Sequence, residues 1–132
     1  MASPGVDFTR PLLFRETADD VVFRRKIVTR RVARMRDGKY GAPPWRVGAL
    51  AKCYQRSPRA GGQPFAVARI ESCELEPLGK VSPSDCVNEG FPDLHPDRFM
   101  LKFAEINQFG GSLEDLAVVM VWRVQFTLDV KL

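Results

Sequence analysis

A chain of 132 residues, 45% of them hydrophobic, is long enough for one domain with its own core, which excludes wholesale disorder. It contains no apolar run long enough to cross a bilayer, and residues 1–5 lack the charged and apolar regions of a signal peptide. We therefore predict a single cytoplasmic domain over 1–132 with a core of about 8–128. We expect no membrane association and a monomer or weak dimer.

The net charge of +4 hides an asymmetry between the two halves of the chain. Residues 1–70 carry fifteen Lys or Arg against five acids, whereas residues 71–132 carry five against eleven. Seven cations and no acid fall within residues 24–36, interleaved with β-branched residues. This pattern predicts an ordered basic surface for a polyphosphate partner, RNA or another nucleic acid. The alternative is that the two halves neutralise each other across the fold.

The cysteine and histidine content argues against metal chemistry. The chain has three cysteines, one histidine and no C-x-x-C pair (Cys53, Cys73, Cys86 and His95). These residues cannot build an ordinary zinc site, and no phosphate-binding or dinucleotide-binding glycine motif is present. We expect reduced thiols, no metal and no cofactor.

The first elements are a short strand and a short helix. Residues 12–14 form an apolar run typical of a strand. Thr17 is placed to cap a helix whose last turn contains Arg24 and Arg25. The helical spacing assigns its core face to Ala18, Val21 and Val22.

Residues 26–32 alternate as in a strand, and alternation divides their side chains between two faces. Val28, Arg30 and Val32 share one face, and Ile27, Thr29 and Arg31 share the other. The Gly- and Pro-rich residues 37–46 predict a loop. Tyr40 and Trp45 on this loop are candidates for stacking on bases, although Trp45 would equally close the end of the core.

The second half of the chain predicts further strands and helices in a clear order. We expect strands over 47–54, 65–75 and 120–129, a turn over 56–63, and helices over 83–89 and 96–107. Imperfect alternation in 65–75 indicates a bulge. Ser82 is a capping residue for the first of these helices, and Gly90 is its stop. The apolar stripe of the second helix, taken as core, is Phe99, Met100, Phe103 and Ile106.

Three side chains are candidates for chemistry. Glu89 falls at the negative end of its predicted helix, an unfavourable position that Lys26 or Arg31 would compensate if either lay close. Thr29 is either an ordinary strand residue or a hydroxyl held in a positive field. Lys26 is either part of a solvated basic surface or a desolvated amine with a depressed pKa.

Four segments in the right order resemble the ASCH (activating signal cointegrator homology) domain. The resemblance rests on Pro11–Phe14 with Arg25–Val32, on Tyr40–Gly41 with Arg46–Gly48, on Ser82–Phe91, and on Phe99–Phe103 with Val118–Phe126. It implies an α+β fold: a small PUA-like mixed β-barrel with flanking short helices and a cleft beside the barrel. Two positions depart from the family pattern, with Arg24 in place of a glycine and Ala49 in place of an aspartate.

The resemblance also implies functional residues. ASCH domains are associated with RNA and nucleic-acid binding, some small members are amidohydrolases of N4-acetylated cytidine, and a ribonuclease activity has been attributed to others. Lys26, Thr29 and Glu89 match the catalytic set of the amidohydrolases, with Thr29 as nucleophile, Lys26 as its activating partner and Glu89 as proton shuttle. The expected ligand-binding residues are Arg25, Arg30, Arg31, Arg34, Tyr40, Trp45 and Arg46.

The leading hypothesis from the sequence is therefore a domain that binds RNA or a modified nucleotide in a cationic cleft. The alternative is a small hydrolase of N4-acylated cytidine-type nucleosides, or a ribonuclease. Both place the ligand beside the basic strand.

Overall fold

A computed structural model describes residues 7–132. The chain forms seven strands, four α-helices and two short 3₁₀ turns within that range. The strands are β1 (Leu12–Leu13), β2 (Val28–Val32), β3 (Met35–Arg36), β4 (Lys39–Tyr40), β5 (Leu50–Tyr54), β6 (Pro64–Pro77) and β7 (Met120–Lys131). The helices are α1 (Ala18–Val22), α2 (Pro83–Asn88), α3 (Pro96–Asn107) and α4 (Leu113–Ala117). The 3₁₀ turns are Pro58–Ala60 and Leu78–Lys80.

Five strands form one mixed sheet in the order β1-β5-β6-β7-β2. β1 pairs in parallel with β5, and the other neighbours are antiparallel. The sheet curls into a half-barrel, so its two edge strands approach each other without pairing. A side chain joins them instead, because Arg31 Nη2 donates a 2.6 Å hydrogen bond to the backbone oxygen of Leu13. We call this gap between β1 and β2 the seam.

Two apolar clusters pack on opposite faces of β7. Trp122, Val124 and Phe126 belong to the cluster inside the curled sheet, whereas Val121 joins the cluster formed by the helices. The helical cluster is made mainly from α3, α4 and the turn after β6. Because neighbouring strand residues point to opposite faces, one strand supplies both cores and fixes the helices against the sheet.

Several elements agree with the sequence prediction. α3 has the predicted bounds, and β6 shifts register after Val67 and after Ile70, as its imperfect alternation indicated. Ser82 caps α2 by accepting a hydrogen bond from the backbone N–H of Asp85. Within the described residues no helix is long and apolar enough to cross a membrane.

Other predictions were wrong, and these concern short elements: the ends of α1, residues 37–46 and α4. Thr17 precedes α1 but makes no capping hydrogen bond, and α1 ends at Val22, before Arg24 and Arg25. Residues 37–46 are not only loop, since they contain β4, which pairs with β3 in a small hairpin. α4 was missed, although a capping box at Ser112 marks its start.

The predicted role of Trp45 as a base-stacking residue is contradicted by its burial. The side chain is 5% exposed, belongs to the sheet cluster, and donates a 3.4 Å hydrogen bond from Nε1 to the backbone oxygen of Pro11. Its ring closes the end of the core, which is the alternative that the sequence left open. A buried ring is not available to stack on a ligand.

We expect Trp45→Ala to lower the free energy of unfolding by about 3–5 kcal/mol, as deletion of a buried aromatic side chain does. Tyr40→Ala, on the half-buried edge of the small hairpin, should cost less than about 1 kcal/mol. Urea unfolding of both variants measures the difference. Equal losses would contradict the assignment of Trp45 to the core.

Candidate functional site

A cleft of about 390 Å³ lies at the seam of the half-barrel. Its base is formed by β2 and the strand residues before α1, one wall by the end of α2, and the other wall by α3. The charged and hydroxyl side chains that line it are Arg15, Glu16, Thr17, Lys26, Thr29, Arg30, Arg31, Glu89 and Lys102. Its aromatic side chains are Phe14, Phe91, Phe99 and Phe103.

The pairing of Lys26 with Glu89 forms one side of the cleft. Lys26 Nζ donates hydrogen bonds to the backbone oxygen of Glu89 at 2.7 Å and to its Oε1 at 3.2 Å. The two residues also form a short backbone bridge, and both side chains are 4% exposed. Glu89 is the C-cap of α2, where a carboxylate is disfavoured by the helix dipole. The expected compensation is present, but it comes from Lys26 and Arg30 rather than Arg31.

Arg30 is fully buried and its two terminal nitrogens form ion pairs, although we predicted from the sequence that it binds the ligand. Its Nη1 donates to Glu89 Oε2 at 2.8 Å, and its Nη2 donates to Asp85 Oδ2. Glu76 lies 3.7 Å away from Nη2. A guanidinium held by three carboxylates is structural, so its predicted role as a ligand contact is not supported by its position.

Thr29 and Arg31 form the polar floor of the cleft. Thr29 is 0% exposed, and its Oγ1 accepts a hydrogen bond from Arg31 Nη1. Arg31 also donates to the backbone oxygens of Arg30 and Leu13, at 3.1 and 2.6 Å. No carboxylate of the described residues lies within 4 Å of its guanidinium. Arg31 is therefore a half-buried cation whose hydrogen bonds all go to neutral acceptors.

Burial changes the proton affinity of the cleft lysine. Desolvation lowers the pKa of Lys26 from 10.5 to about 8, with the carboxylate of Glu89 opposing the shift and the Arg31 guanidinium adding to it. Burial also lowers the pKa of Arg31, partly offset by Glu89. An amine with a pKa near 8 is partly neutral close to physiological pH, so Lys26 is able to accept a proton there.

The cleft mouth carries charged and apolar groups that the sequence reasoning missed. Lys102 on α3 pairs with Glu16 at 3.1 Å, which links the α3 wall to the segment before α1. Ile106 was predicted as core but is 46% exposed and lines the cleft instead. The position of Ile106 in the last turn of α3 could have indicated its exposure, because this turn extends past the helical cluster.

The remaining predicted ligand residues lie outside the cleft. Arg25 is exposed and paired with Asp20 at 2.9 Å, and Arg46 is exposed and paired with Asp7. Arg34 is exposed next to the small hairpin. Tyr40 and Trp45 do not line the cleft either. The structure thus brings together Lys26, Thr29, Arg30, Arg31 and Glu89, and separates them from the other five.

The described residues contain no cluster of His, Cys, Asp and Glu suited to a metal ion. Cys53, Cys73 and Cys86 are buried and unpaired. Burial raises the pKa of the Cys53 thiol to about 12, so that it stays protonated and is a poor nucleophile at neutral pH. The chemistry available in the cleft is that of an amine, a hydroxyl, a carboxylate and a guanidinium.

No protein-family model and no curated protein matches the chain, whereas solved structures do. A protein from Enterococcus faecalis V583, described under DUF984, superposes with a TM-score of 0.59 at 20% identity, over 92% of this chain and 82% of its own. An ASCH domain from Lactobacillus crispatus gives 0.58 at 13% identity, over 92% and 79%. A serine-to-alanine mutant of the Zymomonas mobilis protein ZmASCH gives 0.51 at 14% identity, over 95% and 70%.

These likenesses define the class of fold: an open, curled mixed sheet flanked by short helices. The chain has the fold of an ASCH domain, and the fold predicted from the four sequence segments is confirmed. At these identities the likeness concerns the fold, so the activity has to be argued from the cleft.

The lowered pKa of Lys26 makes stability depend on pH. Between about pH 8 and 10.5 the unfolded state binds more protons than the folded state, so the free energy of unfolding rises with pH in that window. The full rise is about 3 kcal/mol. We expect Lys26→Met to abolish this contribution, because methionine fills the site without a titrating amine. Urea unfolding at pH 7.5 and 9.5 measures it.

Lys52→Met is the matched control, since Lys52 is an exposed lysine on β5. This variant should keep the pH dependence of the native chain. A Lys26→Met protein with an unchanged pH dependence would show that the amine is not desolvated.

Proposed function

We propose that the protein binds a single nucleotide or modified nucleoside, free or within RNA, in the cleft at the seam. The observation that carries the proposal is Arg31, a half-buried guanidinium on the cleft floor with no carboxylate partner among residues 7–132. Partial burial of an unpaired charge is costly, and an incoming negative or oxygen-rich group offsets that cost. A planar guanidinium with free donors suits phosphate and carbonyl oxygens in particular.

The surroundings of Arg31 favour a ligand with negative charge. Each of the neighbouring cations has an ion-pair partner, whereas the Arg31 guanidinium has none among residues 7–132. The paired cations are Lys26, Arg30 and Arg123, and their partners are Glu76, Asp85 and Glu89. The one ion pair at the mouth, Lys102 with Glu16, is neutral as a pair.

The size of the cleft favours one nucleotide unit over a strand. Its volume of about 390 Å³ is at the small end of ligand pockets. Phe14 and Phe91 offer apolar walls beside the polar floor. Lys26 and Arg30 of the basic segment face inward and pair with Glu89, so the segment does not present all of its cations as the continuous track that a long single strand would follow.

We expect Arg31→Gln to weaken the binding of cytidine 5′-monophosphate by about 10- to 100-fold, the value of losing a hydrogen bond from a charged donor. Isothermal titration calorimetry measures the affinity, and a thermal melt checks that the variant stays folded. Arg34→Gln is the matched control, because it removes the same charge from an exposed position outside the cleft. Equal weakening by both substitutions would place the ligand on the outer surface.

A second candidate function is hydrolysis of an N4-acylated cytidine-type amide. Three observations favour it: Thr29 Oγ1 is hydrogen-bonded to the Arg31 guanidinium, Lys26 has a lowered pKa, and Lys26 contacts Glu89 in the same cleft. A guanidinium beside a hydroxyl stabilises the negative charge that develops when the hydroxyl attacks a carbonyl.

The proposed reaction uses only these groups. Thr29 Oγ attacks the acyl carbon while its proton passes to neutral Lys26. The bond from the carbonyl carbon to nitrogen then breaks, and the leaving amine takes a proton delivered through Glu89. Water hydrolyses the resulting Thr29 ester, which releases the free acid and restores the hydroxyl.

We expect Thr29→Val to lower turnover of N4-acetylcytidine by at least about 100-fold while changing its binding little, because the substitution keeps the shape and removes the nucleophile. Mass spectrometry of the deacetylated product measures turnover. Thr127→Val is the control, since Thr127 is an exposed threonine on β7 that contacts Glu71. Full turnover by Thr29→Val would refute the nucleophile, and no turnover by the native chain would leave binding as the function.

A further inference from the structure

An alternating chain of charges runs from the cleft across β2 to Arg123 on β7. Arg123 on β7 holds both oxygens of Asp85, with Nε to Oδ2 at 3.1 Å and Nη2 to Oδ1 at 2.9 Å. Asp85 in turn accepts from Arg30, Arg30 donates to Glu89, and Glu89 accepts from Lys26. Neither Asp85 nor Arg123 lines the cleft.

The positions of these residues would be unfavourable without this alternation. Arg30 and Arg123 face each other directly across the β2–β7 pair, where like charges repel. Asp85 and Glu89 are four residues apart at the end of α2, where like charges also repel. Asp85 lies between the two arginines and Arg30 lies between the two acids, so each repulsive pair is bridged by an opposite charge.

The geometry of Arg30 is the informative detail. Arginine commonly grips a carboxylate with two nitrogens, but Arg30 gives one nitrogen to each of two carboxylates. Its Nε is buried and has no hydrogen-bond partner among residues 7–132. As a result, Arg30 occupies only Oε2 of Glu89, and Oε1 remains for Lys26.

We propose that Asp85 and Arg123 are positioning residues of the cleft: they restrain Arg30, and thereby keep one oxygen of Glu89 for Lys26. Without Asp85, Arg30 is free to take both oxygens of Glu89 and to displace Lys26. Without Arg123, both oxygens of Asp85 are free to accept hydrogen bonds from the two terminal nitrogens of Arg30. Arg30 would then leave Glu89, and both oxygens of Glu89 would be available to Lys26. The inference rests on the proposed function only in that Lys26 and Glu89 belong to the proposed site.

The two truncations have opposite expected effects on Lys26. The groups that face its amine are Glu89 at the end of α2, Arg31 on β2, Asp20 on α1 and the rings of Phe14 and Phe91. Of these, only Glu89 is connected to Asp85 through Arg30. Burial alone would raise the pKa of Asp85, but hydrogen bonds from Arg123 and Arg30 hold it below its ordinary value, so it is ionised at neutral pH.

The test is the titration of Lys26 in the ligand-free protein, followed by NMR of its side-chain carbon beside the amine. The signal is assigned by its loss in Lys26→Met. We expect the pKa of about 8 to fall by about 1 pH unit in Asp85→Asn, as it does when a compensating negative charge is withdrawn. In Arg123→Gln it should rise instead.

Glu76→Gln is the matched control, because Glu76 lies 3.7–3.8 Å from both arginines but makes no hydrogen bond to either. It should leave the Lys26 titration closest to that of the native chain. Opposite shifts in the two test variants, both larger than the shift in Glu76→Gln, support positioning. The Glu76→Gln variant reports the direct effect of removing one charge near Arg30, and general loosening of the fold would move both test variants in one direction. Shifts of the same sign, or no shift in either folded variant, would overturn the proposal.

If Asp85→Asn fails to fold, Arg123→Gln alone tests the proposal. A rise in the pKa of Lys26 supports the proposal, and no rise overturns it. The measurement needs no substrate and no turnover. A negative result in this titration would therefore overturn the positioning role of Asp85 and Arg123 without affecting the proposed function. The binding and turnover assays test that function separately.

Discussion

The buried contact of Glu89 with Lys26 and Arg30 is the interaction on which the site depends. It joins the end of α2 to β2 and to Lys26 just before that strand, beside the contact of Arg30 with Asp85. Removal of one partner from a buried ion pair commonly costs about 3–5 kcal/mol, because the other charge is left without compensation. Glu89 thus fixes the wall of the cleft, and the two cations fix its floor relative to that wall.

The same contact explains why part of the basic segment does not reach the surface. Lys26 and Arg30 face inward and are neutralised by acids from the second half of the chain. The other cations of the segment, Arg24, Arg25, Arg34 and Arg36, are exposed, so the segment divides between an inner network of ion pairs and a basic outer surface. Arg31 lies half-buried at the cleft and has no acid partner among the described residues.

Much of the architecture was predictable because local signals were strong. The periodicity of α3 and β7 and the cap at Ser82 each depend on residues close in sequence. The hydrophobic pattern could not reveal that Arg30 is buried, because its burial depends on Asp85 and Glu89, which are distant in sequence. Trp45 was ambiguous for the same reason, since only the tertiary structure places a ring on a Gly- and Pro-rich segment in the core.

The seam has a consequence for the way the protein breathes. β1 and β2 stand at opposite edges of the sheet, and the gap between them is bridged by a side chain rather than by a backbone ladder. The cleft can therefore open without loss of the backbone pairing that holds the sheet together. A ligand bound across the cleft would connect β1 and β2, slow the opening of the cleft, and stabilise the folded state in proportion to its binding free energy.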